Sequence, residues 1–161
     1  MNLIDQFHNL FAYHFDTTFK LLDCAEQVSG SKLVVDLGYS HGSIHNLFFH
    51  VLRTDSSWRM GLETGQQVSG VHDRDYPDLA SLRIGLKNEQ IAWKEYLDGL
   101  DDAQIGGEID ITNRRGEEIS FKLWHILQHV VLHGMQHQSE IAHQLTENGC
   151  SPGDIDFIFY N

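Results

Sequence analysis

Residues 123–145 read LWHILQHVVLHGMQHQSEIAHQL, and this stretch decides the fold. It holds five of the chain's eleven histidines, and four of them recur at every fourth position: His125, His129, His133 and His137. Four residues on an α-helix overshoot one full turn by only about 40°, so neighbouring members of the series lie on the same side of a helix. Two histidines at this spacing can offer both imidazoles to one metal ion.

The apolar face of this helix favours one pair of histidines. It is set by residues at helical spacing: Ile126, Leu127, Val130, Val131, Ile141 and Leu145. At about 100° per residue, His137 lies within the face and His133 at its edge, whereas the other two lie progressively outside it. His133 and His137 are therefore candidate metal ligands. The spacing equally allows two hydrogen-bonded histidines at a helix flank, because the glutamate of an HExxH metalloprotease is missing.

The rest of the chain predicts three more amphipathic helices, over residues 2–28, 44–62 and 79–99, with Ser43 and Asp78 as N-caps of the second and third. Alternating residues around turn residues 112–116 predict a β-hairpin before the histidine helix. The predicted fold class is mostly α, a four-helix bundle with a small β-hairpin before the last long helix. At 161 residues the chain is predicted to be a single domain spanning 1–161.

Several residues have structural interpretations at this point. His8 and His14 fit a helix flank or a hydrogen-bonded position in the core, Asp55 fits a helix-face carboxylate, and Trp58 fits a core indole. The apolar tail over 152–161 is expected to pack back on the bundle or on a second subunit, because an exposed apolar end would promote aggregation.

Charge and composition disfavour several classes of partner. The net charge of −12 repels phosphate backbones, so we expect no nucleic-acid partner. No apolar run reaches the length of a membrane span, and no signal-peptide pattern opens the chain, so we expect no membrane partner. Cys24 and Cys150 lie far apart without a CxxC spacing, which favours free thiols and a cytoplasmic location.

Two motifs carry a resemblance to a known family. Residues 50–58 read HVLRTDSSW, and residues 129–137 read HVVLHGMQH, followed by GCSPGD at 149–154. In these motifs and in its order of helices the chain resembles the DinB/YfiT-like family of four-helix metalloproteins. The resemblance implies that His50, His133 and His137 are the metal ligands. Family members commonly follow the last ligand with Arg-Gly-Gln, whereas residues 138–140 here are Gln-Ser-Glu.

Glu140 is the candidate catalytic residue, with several roles open. It lies about 300° around the helix from His137, on the His133 side. It could accept a hydrogen bond from an imidazole, act as a fourth ligand or serve as a general base, and it could equally be a solvated glutamate on the helix surface.

Three imidazoles suit a divalent transition metal such as Zn, Ni or Fe and leave a coordination position open. The resemblance implies thiol-dependent S-transferases and isomerases for some family members. We therefore expect a metal-dependent transferase or hydrolase that takes a small-molecule substrate, with a low-molecular-weight thiol as a candidate, and that forms a homodimer.

Two alternatives remain open. One is a non-catalytic, dimeric bundle that binds a metal or small ligand and is induced under stress. The other is an interaction domain in which the histidines are purely structural.

Overall fold

Four long helices dominate the structure, a computed structural model that describes residues 2–160. In chain order the elements are α1 (Leu3–Ala25), α2 (Gly30–Leu33), α3 (Ile44–Thr64), α4 (Leu79–Asp98), α5 (Asp102–Gly106), β1 (Glu108–Thr112), β2 (Glu118–Lys122) and α6 (Leu123–Glu147), with single 3-10 turns at Asp73–Asp75 and Phe157–Phe159. The predicted fold class, a mostly α bundle with a hairpin before the last long helix, is confirmed.

Side-chain caps determine where two of the long helices begin. Ser43 Oγ accepts a hydrogen bond from the backbone N–H of Asn46 at 3.1 Å, and Asp78 Oδ1 accepts one from Ser81 at 2.8 Å. Each cap satisfies an N–H group that the first helical turn leaves without an intrahelical partner. Both N-caps predicted from the sequence are confirmed.

The hairpin is anchored to the end of α3. Its two strands pair antiparallel, with Ile109 opposite Phe121. The backbone of Thr112 in β1 donates to Gly65 O and accepts from the N–H of Gln67, both at 2.8 Å. The turn between the strands is therefore held close to the segment that follows α3.

The helices form a ring in which α1 and α3 each pack against both α4 and α6. Two apolar clusters fill the interior, one around Leu22, Phe48 and Leu86, the other around Phe15 and Trp93. Along the helices, buried polar residues separate these clusters: His14, Thr18, Asp55 and Gln138. Because burying an unpaired polar group is costly, this layer has to be hydrogen-bonded internally.

The two cysteines correct an expectation from the sequence. Cys24 and Cys150 form a disulfide, with Cα atoms 5.9 Å apart, rather than remaining free thiols. The two cysteines are 126 residues apart, so their spacing in the sequence does not indicate the pairing. They meet because the end of α1 lies beside the segment that follows α6. Disulfides are typical of oxidising compartments, so cysteine usage no longer favours the cytoplasm.

The C-terminal tail packs partly on α1. This is one of the two positions expected from the sequence, the other being a second subunit. Tyr13 donates its hydroxyl hydrogen bond to Ile155 O at 2.6 Å, and Tyr160 donates to Asp16 Oδ2 at 2.7 Å. Ile158 nevertheless remains 82% exposed. Among residues 2–160, no helix combines the length and apolar character needed to cross a bilayer.

Candidate metal centre

The histidine series on α6 follows the burial that its periodicity predicts. His125 and His129 are exposed, His133 is half-buried, and His137 is only 4% exposed. Neighbouring helix α3 contributes His50 to the inner end of the series. The three residues implied by the family resemblance are therefore brought together between α3 and α6.

The three imidazoles converge through one type of atom. His133 Nε2 lies 3.2 Å from His50 Nε2 and 3.2 Å from His137 Nε2. Zn–N bonds of about 2.0–2.1 Å in tetrahedral geometry separate two ligand nitrogens by about 3.3–3.4 Å. These two separations are close to that value, so each of the two pairs suits a small divalent transition metal.

Hydrogen bonds among the three rings would satisfy fewer of the clustered nitrogens than a bound metal ion would. A neutral imidazole has one N–H donor and one acceptor nitrogen. A single N–H on His133 Nε2 can therefore bond to only one of its two neighbours, whereas a metal ion would accept an electron pair from all three nitrogens. His133 Nδ1 is buried and has no hydrogen-bond partner within residues 2–160.

The electrostatics of the cluster favour neutral rings. Burial and the nearby imidazoles lower the pKa of His50 from its ordinary value of 6.5 to about 3, and lower that of His133 to about 4. Both rings are therefore neutral at pH 7, which is the state that binds a metal.

Glu140, whose side chain is partly exposed, contacts the cluster through His137. Its Oε2 accepts hydrogen bonds from His137 Nδ1 at 3.0 Å and from Ser40 Oγ at 2.8 Å. Burial alone would raise the pKa of Glu140, but these two hydrogen bonds lower it. With Nδ1 protonated, His137 must present the lone pair of Nε2 to the other two rings.

A fourth histidine, which the sequence reasoning missed, lies at the same place. His41 and His50 are stacked, with ring centroids 3.5 Å apart and planes 17° from parallel. One ring nitrogen each of His41, His50 and His137 lie within 4.8 Å of one another, so this trio too could hold a metal. An imidazole lone pair lies in the ring plane, so an ion in the plane of His50 would lie well off that of His41.

Position 41 gave no sequence signal because it lies in an irregular connection with no periodicity. The connection is held against α6 by Ser40, which bonds Glu140, and by Tyr39, whose hydroxyl accepts from Gln144 Nε2 at 2.7 Å. Ser40 has a φ of 52°, which is uncommon for a residue other than glycine.

The buried polar layer lies beside the metal centre. His14 Nε2 is 2.8 Å from Asp55 Oδ2, and Gln138 Nε2 donates to Thr18 Oγ1 and to the His14 carbonyl, both at 2.8 Å. A Cβ at Gly134, next to His133, would overlap the His14 ring. The prediction of a hydrogen-bonded core histidine is confirmed for His14, and Asp55, expected as a helix-face carboxylate, is buried.

Two hollows of one groove lie near the cluster, one between α3, the connection that follows it and the hairpin turn, the other between α3, β2 and α6. Their volumes are about 470 and 240 Å³, and Trp58 lines both. Trp58, expected as a core indole, packs against the apolar cluster around Phe15 and Trp93 but is only partly buried. A further hollow of about 370 Å³ lies between α1 and α4. None of the four clustered histidines lines any of these three hollows.

Comparison with known proteins identifies the family. The sequence model of the DinB family matches residues 2–161. The chain belongs to the DinB family. This match confirms the family resemblance that the two histidine motifs indicated in the sequence of this DinB-family protein.

A solved structure supports the fold of this DinB-family chain. The crystal structure of a DinB-like protein from Bacillus subtilis superimposes with a TM-score of 0.65, covering 88% of this chain and 93% of that one. The two sequences are 16% identical, so this likeness concerns the fold alone. No curated protein matches the chain.

Proposed function

We propose that this DinB-family protein is a metal-dependent enzyme whose ligands are His50, His133 and His137. The observation that carries the proposal is the position of His133 Nε2, which lies 3.2 Å from His50 Nε2 and 3.2 Å from His137 Nε2. The proposed ion is a divalent transition metal, Zn, Ni or Fe, since neutral imidazoles suit each of these. His41 is stacked on His50 and offers a ring nitrogen within 4.8 Å of one each of His50 and His137.

The proposed reaction is S-transfer with a low-molecular-weight thiol, or hydrolysis, on a small-molecule substrate. A bound divalent ion with an open position supplies Lewis acidity, which lowers the pKa of a thiol or of water. The protein's contribution is to hold three neutral imidazoles in place. Glu140 acts as a positioning residue, because its carboxylate is already engaged by His137 and Ser40.

Metal content tests the proposal directly. Elemental mass spectrometry on protein without a histidine tag should give about one transition metal per chain, and the H133A/H137A variant should lose it. The matched control is H125A/H129A, which removes two exposed histidines from the same helical series and should keep the metal. No metal in the wild type after reconstitution with Zn and Ni would overturn the site.

Turnover distinguishes an enzyme from a binding protein. Metal-loaded protein is assayed with a panel of low-molecular-weight thiols and model electrophiles, and with model esters. Activity that a chelator abolishes and added metal restores supports the enzyme. Binding of these compounds without turnover would instead favour the non-catalytic, ligand-binding bundle.

We also propose a homodimer, because the C-terminal turn leaves apolar side chains exposed. Phe157, Ile158 and Phe159 are 41, 82 and 65% exposed. Light scattering on the eluting protein should give twice the 18.4 kDa chain mass, and Ile158→Lys should weaken the dimer. A monomer at all concentrations would contradict this.

A further inference from the structure

The larger hollow beside the candidate metal centre brings two arginines together from distant parts of the chain. Arg53, Thr54 and Trp58 line it from α3, Ser69 lines it from the following connection, and Arg114 lines it from the hairpin turn. Its volume of about 470 Å³ is of the size that holds small-molecule ligands.

Two residues that line this hollow, Arg53 and Thr54, also lie beside His50, which does not itself line it. Thr54 Oγ1 lies 3.5 Å from His50 Nε2, the nitrogen that faces the other ligand candidates. On the other side of the ring, Arg53 Nη2 lies 3.5 Å from His50 Nδ1. A molecule in the hollow would therefore contact Arg53 and Thr54, the two side chains that adjoin the candidate ligand His50.

The charge in the hollow is opposite to that of the protein. The chain carries 23 acidic and 11 basic residues, with a net charge of −12. Within residues 2–160, neither Arg53 nor Arg114 forms a salt bridge, whereas Arg59 and Arg83 each do. Arg53 also lies over the Phe49 ring, 5.7 Å from its centroid, but neither guanidinium has a carboxylate partner. Two such groups at one hollow of an acidic protein favour the binding of an anion.

The walls of the hollow are held by specific contacts. Gln67 Oε1 accepts from the backbone N–H of Arg114 at 3.3 Å, which ties the hairpin turn to the segment after α3. Gly70, with a φ of 66°, lies so close to α3 that a Cβ there would come within 2.7 Å of Arg53 O. Any other residue at position 70 would be strained, both by the positive φ and by the contact of its Cβ with α3.

The other end of the groove is apolar. Trp58 separates the arginine hollow from the smaller one, which is lined mainly by Phe121, Ile126 and two exposed histidines of α6. The Trp58 ring lies 6.3 Å from that of Phe121, edge to face. This end can accept an aromatic or other apolar group.

We propose that the groove binds an apolar or aromatic molecule bearing a carboxylate or phosphate. The anion is held by Arg53 and Arg114, whose guanidinium groups match the geometry of both oxyanions, and the apolar body lies on Trp58. This deepens the proposed function by naming a substrate class for the metal centre, but the anion site itself requires no metal.

Binding of three matched probes tests the inference: benzoate, phenyl phosphate and neutral benzamide. Each is titrated into chelator-treated and metal-loaded protein, and the Trp58 indole N–H, assigned with Trp58→Phe, is followed by NMR. We expect both anions to bind chelator-treated protein at least about tenfold more tightly than benzamide, the size of effect typical of charge-assisted hydrogen bonds. Whichever of benzoate and phenyl phosphate binds more tightly shows whether the site prefers a carboxylate or a phosphate.

Arginine variants provide the decisive comparison. Arg53→Gln and Arg114→Gln should each weaken anion binding at least about tenfold. Arg115→Gln is the matched control, since Arg115 neighbours Arg114 in the same exposed turn but does not line the hollow, and it should bind as the wild type does.

Three results would overturn the inference: benzamide binding as tightly as the anions, equal affinities in all three arginine variants, or no saturable binding of either anion. Absence of metal from the purified protein would defeat the proposed function while leaving the chelator-treated titration valid.

Discussion

His14 and Asp55 form a buried polar pair across the bundle, with His14 Nε2 2.8 Å from Asp55 Oδ2 and side chains that are 0% and 1% exposed. The two residues lie on α1 and α3, which do not neighbour each other in the ring of helices. Their contact lies between the two apolar clusters and next to the turn of α6 that carries His133.

Removal of one member of this pair is expected to destabilise the protein. His14→Leu leaves the Asp55 carboxyl buried without its partner, which should lower the free energy of unfolding by roughly 3–5 kcal/mol. Urea denaturation measures the change. His8→Leu on the same helix is the control: His8 lies 3.5 Å from Asp98 but both side chains are substantially exposed, so the change should stay below about 1 kcal/mol.

The double variant His14→Leu/Asp55→Leu keeps this prediction testable if the single variant folds poorly. Because it removes both polar partners, it should be more stable than His14→Leu alone. A double variant less stable than the single one would mean that the pair is not the source of the loss.

Loss of the Glu140 carboxylate should weaken metal binding without removing a ligand. Glu140→Ala frees His137 Nδ1 from its acceptor, and loss of such a contact typically costs about 10–100-fold in metal affinity. Competition with a chromophoric chelator measures the affinity. Glu140→Gln retains a carbonyl oxygen that can accept the same hydrogen bond and should lose less. Equal losses in the two variants would instead favour a direct charge effect or direct ligation by the carboxylate.

Acid should destabilise the metal-free protein through the clustered histidines. The folded-state pKa values of His50 and His133, about 3 and 4, lie below the ordinary value of 6.5 expected in the unfolded chain. Between these folded-state values and 6.5, the unfolded state binds more protons than the folded state does. The free energy of unfolding therefore falls as the pH drops below about 6.5.

Chelator-treated protein unfolded in urea at pH 7 and pH 5 measures this loss. His50→Gln/His133→Gln cannot take up these protons and should lose less stability between the two pH values. Carboxylates of ordinary pKa remain mostly ionised in this window and contribute little to the comparison. Identical losses in the wild type and the double variant would contradict the prediction.

Reduction of the disulfide should lower stability by several kcal/mol. The bond closes a loop with a sequence separation of 126 residues, and the chain-entropy model gives about 4–5 kcal/mol for a loop of this length. Thermal unfolding with and without a reductant measures the change. In Cys24→Ser/Cys150→Ser the reductant should have no effect, and a persisting effect there would point to a cause other than the disulfide.

The sequence by itself determined the local elements. Caps at Ser43 and Asp78, helical periodicity and alternation in the hairpin depend on residues near one another in the chain, so they are readable without a fold. The burial gradient from His125 to His137 follows from the same periodicity, because one helix carries all four residues. The family resemblance then added His50.

Only the tertiary structure decided which distant side chains meet. His41 lies in an irregular connection, Arg114 in a turn, and Cys24 is 126 residues from Cys150, so no repeat in the sequence relates them to their partners. The pairing of His14 with Asp55 likewise depends on how α1 and α3 are arranged around α6. These contacts follow from the packing of whole helices, which buries apolar faces first and thereby fixes where polar residues between them must find partners.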